Sequence, residues 1–129
     1  MVSLLTRHVV TECAPCRGHE CRAKFGQAWS PVEIQGTRRN DNVVAVTSLV
    51  LDFDGITAAQ GAQVAAALRP YTYVAHTSHS HAALSAQGKH AVRAVVQLSR
   101  PVSAGEWRAF RAAAVGMLQV PTDPSCKDL

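Results

Sequence analysis

Two aspartates separated by one residue, Asp52 and Asp54, close the apolar run Thr47-Ser48-Leu49-Val50-Leu51. Successive side chains of a strand face opposite ways. Asp52 and Asp54 therefore share a face with Ser48 and Val50, while Leu49, Leu51 and Phe53 point into a core. Two strand steps put the two Cα atoms roughly 7 Å apart, close enough for both carboxylates to reach one divalent cation or a pair of them. Carboxylates at that spacing repel when ionised, and a divalent cation between them removes the repulsion. Asp is a poor strand residue, so two in alternation ask for more than a strand fraying into a turn at Asp54-Gly55.

Other residues able to do chemistry lie on both sides of this pair. His76, His79 and His81 fall within six residues. If residues 72–80 form a strand, its alternation puts Tyr73, Ala75, Thr77, His79 and His81 on one face. Such a cluster of imidazoles points to binding or proton transfer rather than to packing alone. Arg38 and Arg39, adjacent in the polar segment 36–42, are able to clamp phosphates, although a solvated basic turn explains them equally well. Arg93 stands on the exposed side of a strand expected over 92–99. Nearer the start, Cys13, Cys16, His19 and Cys21 offer soft ligands for Zn²⁺. They are crowded into one segment instead of two separated knuckles, and reduced cysteines near a short helix over 20–25 are the default expectation.

The elements that must position these groups follow from periodicity and from helix and turn signals. The chain has 129 residues, enough for one domain with its own core; 47% are hydrophobic and 17% charged, which excludes a disordered chain. No apolar run reaches membrane-span length, and the start has no signal-peptide pattern, so a cytoplasmic location is expected. The net charge of +4 suits a polyanionic partner such as nucleic acid or nucleotide. Residues 32–34 read as a short extended segment after Pro31. Thr57 caps a helix to Leu68 that ends before Arg69-Pro70. Ser103 and Glu106 form a capping box for a helix to about Leu118, with Trp107, Phe110, Ala114, Met117 and Leu118 on its buried face. Pro101 is expected to stop the strand before that helix. From Val43 the order is strand, helix, strand, strand, helix. That is an α+β, ferredoxin- or RRM-like β-α-β-β-α unit (43–129) lacking its final strand, with residues 1–42 as an N-terminal α/β flank.

On these residues the chain resembles the catalytic core of the archaeo-eukaryotic primase superfamily, in its primase-polymerase branch associated with plasmids, phages and prophages. That family carries Asp-x-Asp or Asp-x-Glu at a strand end, a small-x-His motif on the next strand, and a later aspartate. Here these correspond to Asp52 and Asp54, to the segment 77–81, and to Asp123. Trp29-Ser30-Pro31, Arg38-Arg39, Arg93, Ser99-Arg100-Pro101-Val102 and the segment 123–128 add to the likeness, which covers about residues 28–128.

The resemblance implies an RRM-like sheet with the active site on its face and two Mg²⁺ or Mn²⁺ ions held by Asp52, Asp54 and Asp123. It also implies an NTP or dNTP whose triphosphate meets a histidine. His81 is preferred for that contact, but Thr77-Ser78-His79 fits the same motif. Arg93, Arg38 and Arg39 are implied as phosphate or template contacts. Single-stranded DNA template and primer, and a helicase domain or subunit, are implied as partners in a bacterial, phage or plasmid setting. Relatives continue past the position of Asp128 with Ser-Arg, a tyrosine and a proline, so the chain is expected to be a fragment or a shortened form.

Three other readings compete. Val50-Leu51-Asp52-Phe53-Asp54-Gly55 resembles the first motif of haloacid-dehalogenase phosphatases, but Ile56 intervenes before Thr57, and no lysine with paired aspartates follows. His79-Ser80-His81 resembles the metal site of rolling-circle replication nucleases, but its middle residue is polar and both tyrosines, Tyr71 and Tyr73, precede it. A catalytically degenerate core that binds nucleotide, nucleic acid or a protein partner is the third.

Overall fold

The computed structural model describes residues 30–78, 81, 87–119 and 122. Cys13, Cys16, His19, Cys21, His79 and Asp123 lie outside the described residues. Within them the chain is α+β, a curled four-stranded antiparallel sheet with two helices. The strands are β1 (Val32–Ile34), β2 (Val43–Ile56), β3 (Tyr73–Thr77) and β4 (His90–Ser103); the helices are α1 (Ala58–Leu68), between β2 and β3, and α2 (Ala104–Leu118), after β4. From Val43 onward the expected order of strand, helix, strand, strand, helix is the order observed.

The sheet runs β1-β2-β4-β3, with every neighbouring pair antiparallel. β2 and β3 are thus parallel, separated by β4 and joined through α1. β1, from the segment before residue 42, occupies the outer edge of β2; Thr47 ties it down by donating its backbone N–H (2.7 Å) and its hydroxyl (3.0 Å) to the Pro31 carbonyl.

β2 and β4 are both 14 residues long and rich in valine, whose branched side chain suits a pleated, packed surface. β4 does not stop at Pro101. Its pairing with β2 jumps from Gln97↔Ser48 to Val102↔Val46, so residues 98–101 bulge out of the ladder. A bulge tolerates a residue with no N–H to donate, which is why the proline interrupts the pairing without ending the strand.

α1 begins with a reciprocal box: the Gln60 N–H donates to Thr57 Oγ1 (3.2 Å) and the Thr57 N–H to Gln60 Oε1 (2.9 Å). α2 begins with the expected Ser103–Glu106 box. Both helices pack on one face of the sheet. The core joins Leu49, Leu51 and Phe53 of β2 and Ala94 and Val96 of β4 to Val64 and Leu68 of α1 and Trp107 and Leu118 of α2. Leu51 and Phe53 are wholly buried, each stabilising by about 1.5–3 kcal/mol relative to exposure. Phe110 and Ala114 pack partly against this core, whereas Met117, expected on the buried face, is 70% exposed at the mouth of an apolar cavity.

Candidate functional site

The face of the sheet opposite the helices carries the chemistry. β2, β4 and β3 align residue by residue, so two rows can be followed across them. The first is Asp52, Arg93, His76. The second begins with Asp54 opposite Ala91 and continues to Ser78, whose N–H donates to the Ala91 carbonyl at 2.9 Å. Partners across an antiparallel ladder point to the same side, so Asp52, Asp54, Arg93, His76 and Ser78 share one face.

Asp52 and Arg93 form a two-pronged ion pair. Nε and Nη2 of Arg93 each donate to a different Asp52 oxygen at 2.5 Å, matching the planar guanidinium to the planar carboxylate. The Asp52 side chain is only 11% exposed and that of Arg93 46%. Asp54 is exposed. After it, Gly55 adopts φ +72 at a register shift between Asp54 and Ile56, and the shift returns Ile56 to the buried set. Glycine reaches that left-handed conformation without a Cβ clash, so Gly55 lets the strand carry two carboxylates on one face and still anchor its end in the core.

His76 and His81 take opposite tautomers, each fixed by what its Nδ1 touches. Nδ1 of His76 lies 3.0 Å from the Thr77 carbonyl, which only accepts, so the nitrogen carries the proton and Nε2 presents a lone pair in the neutral ring. Nδ1 of His81 instead accepts from the Ala91 N–H at 3.3 Å, which leaves Nε2 carrying the proton in the neutral ring. The His81 ring stacks on His90, centroids 5.3 Å apart. His81 is thereby fixed to Ala91, the residue directly opposite Asp54. Two buried hydroxyls, Ser78 Oγ beside this site and Ser48 Oγ further along the Asp52 face, have no hydrogen-bond partner among the described residues.

The structure thus brings Asp52, Asp54, Arg93 and Ser78, from among the residues singled out in the sequence, onto one face; His81 is held at the start of β4 and stacks on His90, which the register sets opposite Ile56 on the helix side. Thr77 goes elsewhere: its row is Thr77, Val92, Phe53, on the helix side of the sheet. Tyr73, Ala75 and Thr77 share that face, and the β3 residue beside Arg93 on the acidic face is His76. No local signal says which face of β3 meets the helices, because β3 is exposed along most of its length and carries no apolar face of its own. Arg38 and Arg39 are exposed in the β1–β2 connection, next to Val43. About 30 Å of extended strand, at roughly 3.3 Å per residue, separates that end of β2 from Asp52.

Asp52 and Asp54 fit two of the oxygen donors that a hard divalent cation takes, and the guanidinium held against Asp52 marks a position where positive charge is favourable. Among the described residues no group of three or more His, Cys, Asp or Glu is close enough to hold a metal. A cavity of about 590 Å³ lies on the opposite side of the sheet, between β4 and α2, lined by Leu98, Phe110, Met117 and other mainly apolar residues. It contains none of the carboxylates or histidines of the site. No helix among the described residues is long and apolar enough to cross a membrane.

Comparisons with protein-family models, with curated proteins and with solved structures found no match.

Proposed function

We propose that the chain is the catalytic core of a primase-polymerase, a nucleotidyltransferase that joins an NTP or dNTP to a 3′-hydroxyl, or to an initiating nucleotide, on a single-stranded DNA template. One observation carries the reading: paired carboxylates, an arginine and the His76 imidazole share one face of an antiparallel sheet, and α1 and α2 pack on the other. The β2-α1-β3 connection with β4 inserted between its strands supports a ferredoxin- or RRM-like assignment, with β1 on the edge where that fold places its last strand.

In this reading Asp52 and Asp54, with Asp123 as third ligand, hold Mg²⁺ or Mn²⁺. Bound there, the ions supply activation of the attacking hydroxyl and stabilisation of the leaving pyrophosphate. The protein's own groups do the rest. His81 donates Nε2–H to a phosphate oxygen, and its orientation is set beforehand by the Ala91 amide. Arg93 contributes a planar pair of donors suited to phosphate. Arg38 and Arg39, remote along β2, suit the template backbone better than the triphosphate.

Primer extension with Mn²⁺ and labelled nucleotides is the direct test, with Asp52→Ala abolishing incorporation and retaining the fold by circular dichroism. A second reading has a specific observation in its favour: both Asp52 oxygens accept from Arg93, as they would in a core that binds nucleotide or nucleic acid without turnover. Nucleotide binding with no extension would decide for that reading. The same pairing counts against Asp52 as a phosphatase nucleophile.

A further inference from the structure

The cation held at Asp52 belongs to the protein. Arg93 closes both carboxylate oxygens with two parallel hydrogen bonds, yet its side chain remains nearly half exposed while that of Asp52 is almost covered. A divalent ion that takes Asp52 through the lone pairs Arg93 occupies displaces a guanidinium. The displaced group needs only a rotamer change to reach solvent or an anion on the same face.

We propose that Arg93 is an exchangeable internal counter-ion: it competes with divalent metal for Asp52 and, once displaced, becomes a ligand for the phosphates that arrive with the metal. This rests on the metal-dependent reading above and deepens it, because it fixes how metal and nucleotide bind together. Asp52, Asp54 and Arg93 sum to one negative charge. A free divalent ion entering this group takes Asp52 from Arg93 and brings no anion in return. A metal–triphosphate complex entering it supplies both a cation for Asp52 and an anion for Arg93. Free metal therefore binds weakly, the complex binds tightly, and the protein discriminates against loading metal without nucleotide. By linkage, each ligand raises the other's affinity by the same factor.

The signature is a crossing of signs that loss of a merely structural arginine does not produce. With Mn²⁺ binding followed by electron paramagnetic resonance and calorimetry, Arg93→Gln is expected to bind Mn²⁺ alone about fivefold more tightly than wild type. The same variant should bind the Mn²⁺–deoxynucleoside triphosphate complex about tenfold more weakly, since a charge-assisted phosphate contact is lost. If Mn²⁺ affinity is unchanged or falls in the variant while both proteins bind metal, the exchange is overturned and the metal site stands. If neither folded protein binds Mn²⁺, with or without triphosphate, the exchange and the metal-dependent reading fail together. Should Arg93→Gln not fold, Arg93→Lys serves. It keeps the charge but loses the two-pronged fit, so shifts of the same sign and smaller size are expected, and unchanged affinities overturn the proposal.

Discussion

At the scale of single residues, the Asp52–Arg93 pair is asymmetric, and that asymmetry is measurable. Removing Arg93 leaves a nearly buried carboxylate facing a lost partner; removing the Asp52 charge leaves an arginine that is already half in water. Arg93→Ala should therefore destabilise by about 2–3 kcal/mol and Asp52→Asn by about 1 kcal/mol or less in urea titrations. Equal losses would show that the two charges are equally desolvated. Gly55 is open around the position of a Cβ, so Gly55→Ala has only its backbone strain at φ +72 to contend with. A cost near 1 kcal/mol is expected.

The sequence made much of this site legible residue by residue. Alternation alone separated Asp52 and Asp54 from Leu49, Leu51 and Phe53, because a long strand with one face in the apolar core writes its two faces into its composition. It could not place His76. β3 lies mostly in solvent, and its phase is set by hydrogen bonds to β4, which composition does not record.

At the scale of elements, the start of α2 is held by charge as well as by its cap. Glu106 accepts from Arg100 Nη2 at 3.1 Å and from the Ser103 hydroxyl at 2.7 Å. The side-chain bond from Arg100, then those from the Ser103 hydroxyl and backbone, pull its carboxyl down from 4.5 to about 2. Because the folded value lies below the unfolded one, the stabilisation is complete above pH 4.5 and is lost as pH falls toward 2. Glu106→Gln should flatten the acid side of the stability profile in that window, read by thermal unfolding at stepped pH. An undiminished slope would assign the acid sensitivity to other carboxylates. The capping box itself was plain in the sequence, since Ser-x-x-Glu needs only local contacts. The run of β4 through Pro101 was not. Whether a proline ends a strand depends on whether the pairing holds a bulge there, and β4 bulges over residues 98–101.

At the scale of the whole molecule, the sheet has two unlike faces. One is sealed by α1 and α2 and supplies the stability; the other carries Asp52, Asp54, Arg93 and His76. Phe53 touches both concerns, wholly buried yet lying between the two aspartates. Phe53→Ala should cost about 3–5 kcal/mol and shift the helical circular dichroism and the hydrogen exchange of β4 amides together, since one core serves both layers. Separate transitions would mean that the helices and the sheet unfold independently.

By itself the sequence determined the periodic and the local: which residues of β2 enter the core, where each helix begins, the order of elements from Val43, and a strand-end pair of carboxylates. Tertiary structure alone decided which residues from distant segments stand beside that pair. Arg93 follows Asp52 by 41 residues and His76 reaches the same row from the far side of β4. Their meeting depends on strand order and register, and a shift of one residue in either would turn Arg93 or His76 to the opposite face. The carboxylates were written in the chain; the arginine that occupies one of them was settled only when the sheet closed around it.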